Sequence, residues 1–443
     1  MTTSYIDIES LFESRKNNPL FNTSYPISPK DWVEYSVSGE LPFEAIKPMA
    51  FYVHIPFCEQ ICSFCEYTRI CVPSKEMQFR YIKALISDIE IFIRQYPEIK
   101  LYGFDIGGGT PTSLCDKAFS MLLDEYQNLI SRVLLTADYE PSIEATFQTL
   151  SDEKISVIGK AGISRISLGI QSVVESVVNP LHRQNVDATA MKETIDKIHA
   201  TKIKKVNLDL MYGLPGQTAD TIRNDLETIS FLNPEQVTVY EFRTNQVGSA
   251  FSVNSETSYE QYCLLYDGLI RLGYKSDFGQ NTFSKDTGDY GVSSYLRHRM
   301  LDRWQYKGFG ISAQSMSMNG LSYNIGKNDG SILTQIGFND SYEPNIYYSL
   351  PKQELLAKFI AISGYSGGFS LPTANQIMDG QFVSIYTDVL KFLYDKNLIT
   401  CSGDRIQISK EGFRYYGAIL SMFYPINNIE AYANNQNPSY LHK

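Results

Sequence analysis

The 443-residue sequence predicts an α/β protein: a partial, TIM-like (βα)6 barrel followed by a smaller C-terminal α+β module of winged-helix-like pattern. Three observations carry this expectation. Between residues 49 and 245, strand-like apolar runs alternate six times with stretches of helical period. Several of these runs end on Gly-, Thr- and Pro-rich turns such as GGGTPT and GLPGQT. From residue 350 the pattern changes to three helical segments, a hairpin-like LITCSGDRIQIS and a last helical segment.

Taken in order, residues 1–48 form an N-terminal segment expected to pack on the barrel. The first strand, AFYVHI, leads through FCEQICSFCEYTR into the amphipathic MQFRYIKALISDIEIFIRQY. KLYGFDI runs into GGGTPT and a helix near 116–131, PSIEATF precedes a helix near 151–161, and SRISLGI one near 187–201. VNLDLMY meets GLPGQT and a helix near 219–232, and QVTVYEF is the sixth strand. Residues 246–349 are rich in Gly, Ser, Asn and Tyr, contain a helix at YEQYCLLYDGLIRLG, and read as a linker with substrate-covering loops. Trp304, Tyr306 and Phe309 in that stretch are assigned to the core. Residues 350–443 read as a lid over the barrel mouth.

Composition narrows the function classes. Hydrophobic content of 43% with 20% charged residues describes a globular chain, and no run of about 18 apolar residues offers a membrane span. The opening MTTSYIDIESLFESRK lacks the basic flank and apolar stretch of a secretory signal, so a cytoplasmic location is expected. The net charge of -10 argues against a nucleic-acid binder. Winged-helix modules can enter DNA grooves, but residues 351–443 carry eight Lys plus Arg against seven Asp plus Glu, without the basic footprint of a DNA reader. Seven cysteines, of which Cys115, Cys263 and Cys401 stand far apart, make a poor disulfide framework.

Cys58, Cys62 and Cys65 have the spacing C-x3-C-x2-C on the loop after the first strand. A structural zinc site takes four ligands, and no downstream pair completes one. A cubane iron–sulfur cluster takes one cysteine per iron, so three cysteines leave one iron open for substrate. Cys71, six residues on and followed by Pro73, is the less favoured candidate for a fourth ligand. Burial of the three as small hydrophobes is the other alternative.

Strand ends are where such barrels build their sites. They carry Thr110, Glu144, Gln171, Asp209 and Glu241, with the cysteines on the first. Gly107, Gly108 and Gly109 let the backbone approach a polar ligand. Glu144, Gln171 and Asp209 suit hydroxyls or an amino group, and the Arg183 fork suits a carboxylate.

Together YVHIPFC with the cysteine triplet, GGGTPT, IEATF, SLGIQS, Arg183–Gln184 and NLDLMYGLPGQT resemble the radical S-adenosylmethionine (SAM) enzymes of the oxygen-independent coproporphyrinogen III oxidase family. NTSYP at 22–26 and LKFLYDKNLITCSGDRIQISKEGFRYYG are similar to its terminal segments, so the likeness spans most of the chain. The resemblance implies a radical SAM barrel whose 4Fe-4S cluster chelates SAM at the open iron. An electron then cleaves that SAM to methionine and a 5'-deoxyadenosyl radical. It further implies a second SAM. Tyr52, Gly108, Gly109 and Glu144 would hold the first molecule; Phe64, Thr110, Gln171, Arg183 and Asp209 would surround the second. Arg183 and Glu241 are the residues expected to act in catalysis.

The sequence also departs from the oxidase. Glu66-Tyr67-Thr68 follows the third cysteine where the oxidase typically has Gly-Cys-Asn, and the pattern is similar to the methyltransferase and cyclopropanase branch. There the methyl group of the second SAM becomes a methylene radical that adds to an sp2 carbon. Arg243 stands where the oxidase has a small apolar residue; it either alters the second cofactor's surroundings or pairs with Glu241. A haem-binding branch typically carries a histidine in the segment matching GFGISAQS, where this chain has Gln314, and only His54, His182, His199, His298 and His442 are available as axial ligands. The expected function is therefore methyl or methylene transfer to a small unsaturated molecule. The alternatives are oxidative decarboxylation of a porphyrinogen and non-enzymatic haem carriage. A flavodoxin or ferredoxin reductant and a monomeric state are expected.

Overall fold

The computed structural model describes residues 7–17, 29–243, 253–324 and 346–425. The NTSYP motif, Thr244 and Asn245 at the end of YEFRTN, and the tail with His442 lie outside the described residues.

Helix α1 (Ile8–Asn17) and strand β1 (Ser36–Ser38) precede β2 (Met49–Ile55), the first barrel strand. Two short strands, β3 (Phe57–Cys58) and β4 (Ile70–Cys71), bracket the cysteine loop. Then follow α2 (Lys75–Gln95), β5 (Lys100–Gly108), α3 (Asp116–Ile130), β6 (Leu134–Ala145), α4 (Asp152–Ala161), β7 (Arg165–Gln171), α5 (Glu175–Val178), α6 (Ala188–His199), β8 (Lys205–Tyr212), α7 (Ala219–Leu232) and β9 (Gln236–Glu241). The six strands β2, β5, β6, β7, β8 and β9 lie side by side in that order, all parallel. Their order is linear, so the six form an open arc, the partial barrel expected.

Local chemistry sets the helix starts. Ser74, Ser151 and Asp187 each accept the backbone N–H three residues on, and Thr218 with Thr221 forms a reciprocal capping box. Gly162 ends α4 at φ 83°, a left-handed value that a side chain adopts only with strain.

The inner strands alternate because the arc's concave face is polar. In RISLGIQ, VNLDLMY and QVTVYE the aliphatic residues Ile166, Leu168, Val206, Leu208, Val237 and Val239 are fully buried against the helices. The residues between them meet one another inside. Arg165 donates from Nε to Gln236 Oε1 at 2.7 Å and from Nη1 to Ser142 Oγ at 3.0 Å. Lys205 bridges Glu140 at 2.8 Å and Asp289 at 3.3 Å. One layer higher, Asn207 donates to Ser167 Oγ and to Asp209 Oδ1, both at 2.8 Å, and Thr238 donates to Asn207 Oδ1 at 3.0 Å.

Beyond the barrel, α8 (Ser255–Arg271), β10 (Thr282–Ser284), α9 (Ser294–Leu301), β11 (Tyr306–Phe309), β12 (Gln314–Met316), β13 (Gly320–Tyr323) and β14 (Ile346–Ser349) follow. This stretch, read from sequence as mainly irregular, extends the sheet to twelve strands in the order β1-β14-β13-β12-β11-β2-β5-β6-β7-β8-β9-β10. Strands of three or four residues are too short to show a period of two, which is why composition alone read them as loops. Helix α9 lies against β5 and β6, so close that a Cβ on Gly103 would stand 2.8 Å from the Tyr295 nitrogen. Tyr306 and Phe309 are fully buried, and partly buried Trp304 stacks on His298 at 3.8 Å.

The C-terminal module runs from helix Lys352–Ser363 through the short strand β15 (Gly368–Ser370) and three further helices to the expected hairpin, β16 (Ile399–Ser402) and β17 (Arg405–Ile408), and a last helix Tyr416–Ser421. Strand β15, not expected from the sequence, makes the hairpin a three-stranded antiparallel sheet in the order β15-β17-β16. It shares one continuous apolar core with the barrel. Helix α1 packs on this module rather than on the barrel: Phe12 meets Phe392 and Tyr415, and Arg15 donates to the Ser421 carbonyl at 2.5 Å. The N-terminal segment does reach the barrel further on, where Phe43 packs edge-on against Phe92 and Tyr96 of and beside α2. No described helix is long and apolar enough to cross a membrane.

Arg165→Leu would leave the Gln236 and Ser142 acceptors unpaired inside the arc. The expected cost is about 3 kcal/mol, at roughly 1–3 kcal/mol per buried orphan, read as a lower midpoint in chemical denaturation; an unchanged midpoint contradicts the role given to this layer.

Candidate active site

The cysteine loop is fastened to the strand ends through backbone groups. Pairing of β3 with β4 sets Phe57 beside Ile70 and Cys58 beside Cys71. The Gly109 N–H donates to Ile55 O at 2.8 Å, the Thr110 N–H to Phe57 O at 2.7 Å, and Ser113 Oγ to the same carbonyl at 2.9 Å. Farther out, Ser63 N–H donates to Leu181 O at 3.1 Å and the Arg69 guanidinium reaches Cys62 O at 3.5 Å.

Cys58 is buried, with its Sγ 3.7 Å from Thr110 Oγ1, and burial pushes its thiol up. Burial pushes the Cys65 thiol up to about 12. Cys62 Sγ faces Arg183 Nη1 at 3.8 Å. Such thiols are poor free nucleophiles; ligation to a metal would hold them as thiolates. Among the described residues, no three His, Cys, Asp or Glu side chains converge on a single-ion site. A cubane takes one thiolate per iron, so its cysteines surround it instead of converging.

The remaining strand ends bring most of the expected residues to the same mouth. Glu144 accepts the Gly108 N–H at 3.0 Å, and burial, reinforced by the Asp209 charge, pushes its carboxyl up to about 7. Asp209 accepts from Ser167 at 3.1 Å and Asn207 at 2.8 Å, and burial raises it as well. Gln171 sits at φ 61° beside Gly169, whose carbonyl accepts from Arg183 Nη2. Arg183 therefore touches a backbone carbonyl and a cysteine sulfur, not a carboxylate. Tyr52 stacks on Tyr295 at 5.9 Å and lies 3.3 Å from His54 Nδ1, and burial raises its phenol well above the usual range. Phe64 meets Phe242 at 6.4 Å in a small apolar cluster with Leu181, Met211 and Leu214.

Two residues are placed differently from expectation. Glu241, read as catalytic, accepts from Ser258 Oγ at 3.1 Å and from the Tyr416 hydroxyl, so both oxygens tie the sixth strand to its neighbours. Arg243 pairs with Glu66 at 3.2 Å and donates to the Tyr365 hydroxyl at 3.3 Å. Its ion pair is thus with the cysteine loop and not with Glu241, which accepts hydroxyls from two other elements. Burial opposes the Arg243 charge, but the surrounding phenols and carboxylates keep its pKa above the ordinary value.

Sequence reasoning missed several residues. Asp105 lies two positions before Gly107 on the same face of β5; it accepts from Ser293 at 2.6 Å and burial pushes it up to about 8. That spacing of two was a usable signal. Tyr67, Tyr240, Tyr295 and Tyr365 carried none, because three of them come from loops or helices outside the strand ends. Tyr67 is 60% exposed, yet burial holds its phenol far above its ordinary value. Both hold when the ring faces an enclosed chamber and not bulk solvent, and the same is true of Glu144. Charge coupling links Tyr67 to Tyr365, Glu144, Cys65 and Arg243, so these groups lie near one another.

The chamber has polar atoms awaiting partners. Ser63 Oγ, Gln171 Oε1, Arg183 Nε and Asp105 Oδ1 are buried without a hydrogen bond. Unsatisfied atoms of this kind cost free energy until a polar ligand meets them. The glycine turn is equally suggestive: a Cβ on Gly109 would stand 3.0 Å from Cys58 Sγ and 2.8 Å from Phe57 O. These features fit a cluster on the three cysteines with a polar, partly cationic cofactor beside it. Gly109→Ala must displace the Phe57 backbone, and at least half of the iron and sulfide taken up by wild type on anaerobic reconstitution should be lost, with far-ultraviolet circular dichroism unchanged. Equal iron content would contradict the geometry.

Comparison with known proteins agrees with this reading. Residues 52–229 match the family model described as the Radical SAM superfamily. The Heme chaperone HemW of Bacillus subtilis (strain 168) is 27% identical over 82% of this chain and 95% of its own length. Coproporphyrinogen III oxidase, anaerobic 1, of Cereibacter sphaeroides is 27% identical over 50% of this chain and 49% of its own length. The coproporphyrinogen III oxidase HemN of Escherichia coli has the same fold, with a TM-score of 0.71 at 21% identity, covering 86% of this chain and 91% of that one. The methyl-transfer expectation gains no support from these relatives. Residues 52–229 thus match the Radical SAM superfamily, and the chain is similar to HemW along most of its length and to coproporphyrinogen III oxidases over half of it.

Proposed function

We propose that this protein is a radical SAM enzyme acting on a tetrapyrrole-class substrate that carries carboxylates, with oxidative decarboxylation of a porphyrinogen as its reaction. The observation that carries the radical SAM part is the set of unpartnered polar atoms, Gln171 Oε1 and Arg183 Nε above all, beside the three-cysteine loop. The substrate class rests on similarity to the coproporphyrinogen oxidases. Cys58, Cys62 and Cys65 would hold a 4Fe-4S cluster, and Tyr52, Gly108, Gly109 and Glu144 would hold SAM. A second SAM, if the site takes one, would meet Phe64, Thr110, Gln171, Arg183, Asp209 and Arg243. When bound, the cluster and SAM supply one-electron reductive cleavage of SAM, drawing on a reductant of the flavodoxin or ferredoxin type.

The chain's own residues contribute binding and exclusion of water. Glu144 offers a carboxylate to the cationic amino group of SAM, and the Gly108 N–H fixes its orientation. Tyrosines 52, 67, 240 and 295 stay neutral at physiological pH, since burial raises every one of these phenols, and they wall the chamber with rings. Arg243, held by Glu66 and Tyr365, joins the cysteine loop to the C-terminal module.

The similarity to HemW over 82% of the chain favours haem carriage as a second reading. The described histidines give it little purchase. His54 contacts Thr68 O at 2.8 Å and Tyr52, His298 lies between Asp302 and Asp138 at 2.6 and 2.7 Å, and His199 faces Glu235. Gln314 is bound by Arg299 and Tyr306. His182, the fourth, is exposed.

Anaerobically reconstituted protein, reductant, SAM and coproporphyrinogen III should yield 5'-deoxyadenosine together with carbon dioxide. S-adenosylhomocysteine formed alongside 5'-deoxyadenosine would replace this reading with methyl transfer; neither product, with tight haem binding, would replace it with haem carriage. Alanine at Cys58, Cys62 or Cys65 should abolish iron binding, whereas Cys71→Ala, at an exposed position, should retain it.

A pH dependence follows from Glu144. Its folded pKa of about 7 lies above the unfolded value of about 4.3, so ionisation destabilises the unliganded fold as pH rises from 4 through 7. A cationic ligand prefers the ionised form. SAM affinity measured by equilibrium dialysis should therefore rise up to about tenfold between pH 6 and 8, and Glu144→Gln should flatten that rise; a flat wild-type profile contradicts the assignment.

A further inference from the structure

Helix α9 presents a cation that has no acid on it among the described residues. Arg299 donates from Nη1 to the Tyr295 hydroxyl at 3.0 Å and from Nη2 to Gln314 Oε1 at 3.1 Å. Its guanidinium carbon lies 4.9 Å from the Tyr306 ring centre and 5.7 Å from that of Tyr295. Nε is buried and makes no hydrogen bond.

Among the described residues, the groups that face Arg299 come from several elements around it, and none of them is a carboxylate. Tyr295 shares its helix, Tyr306 comes from β11, Gln314 from β12, Tyr323 from β13, and Tyr67 from the cysteine loop. From helix Lys352–Ser363 comes a second cation, Lys358, whose amine is pushed down to about 7, by burial first and by the Arg299 charge second. Neighbouring arginines differ: Arg243 has Glu66 and Arg297 has Asp138.

A guanidinium cannot shed its proton in a protein, so its charge in a partly enclosed wall persists. A charge of this kind raises the potential at the spot to which it points. The free Nε and the planar fork match a carboxylate side-on. Tyr295, which accepts from Arg299, stacks on Tyr52 of the first barrel strand at 5.9 Å, and this brings the arginine to the strand end that leads into the cysteine loop.

We propose that Arg299 is the substrate-carboxylate site of the chamber, taking one carboxylate of the molecule on which the enzyme acts. The proposal rests on the reading of the chamber as a substrate site and adds the residue that orients the substrate within it. Gln314 and Tyr295 then act as positioning residues that aim the fork, leaving Nε for the ligand.

The test uses full-length protein with its cluster reconstituted and two probe acids, coproporphyrin III and isophthalate, each beside its methyl ester, titrated by fluorescence quenching or calorimetry. Wild type should bind each acid at least tenfold tighter than the ester. Arg299→Gln should weaken acid binding at least tenfold and leave the ester unchanged, and Arg299→Lys should restore part of the loss. Iron content and melting temperature of each variant control for folding, since a merely structural arginine would weaken acid and ester alike. Arg299-dependent binding of either acid supports the site. Dependence seen with isophthalate while coproporphyrin III does not bind keeps the site and overturns the tetrapyrrole reading. Equal acid affinities in wild type and Arg299→Gln, parallel loss of acid and ester, or no binding of either acid overturns the inference.

Discussion

The Phe57 carbonyl accepts the Thr110 N–H at 2.7 Å and the Ser113 hydroxyl at 2.9 Å, while Ile55 O accepts the Gly109 N–H at 2.8 Å. Through this joint the end of the first barrel strand, the glycine turn after the second and the cysteine loop become one rigid piece. Backbone-to-backbone bonds position a loop more sharply than side-chain contacts, because they leave no rotamer to choose. Cys58 is placed by the joint itself, and Cys62 and Cys65 by the loop that Ser63 and Arg69 pin farther out.

Polar matching inside the arc changes with height. At the bottom, Lys205 meets Glu140 and Asp289, and Arg165 meets Gln236 and Ser142. In the middle, Ser167, Asn207 and Thr238 satisfy one another and the lower side of Asp209. At the mouth the matching stops: Gln171, Arg183 and Asp105 each retain a buried atom with no partner, and Glu144 and Asp209 are carboxyls raised by burial. A fold tolerates such a layer where a ligand completes it. The mouth therefore carries both kinds of group, raised carboxyls that suit a cation and arginines with an unpartnered Nε that suit an anion.

Much of the barrel was legible because its strands alternate. RISLGIQ and QVTVYE place aliphatics outward and polar residues inward, and each helix after them begins at a capping residue the eye can find, such as Ser151 or Thr218. The strand-end rule then located Thr110, Glu144, Gln171 and Asp209 without any contact information. Contacts between distant segments were not legible. Glu241 looked like a free acid, and only folding brings Tyr416, 175 positions later, onto it. Arg243 finds Glu66 across 177 positions. The five strands from β10 to β14 were hidden by their brevity, and Arg299 by standing in a helix whose neighbours come from five other elements.

The account stands on a cluster held by three cysteine sulfurs with one iron left for SAM. Its most direct test is electron–nuclear double resonance on the reduced, anaerobically reconstituted protein with SAM labelled by nitrogen-15 at the amino group and oxygen-17 at the carboxylate. Hyperfine couplings from both labels, absent before SAM is added, are the predicted result. A reduced cluster whose spectrum ignores SAM, or a reconstituted site that contains zinc in place of iron, contradicts it.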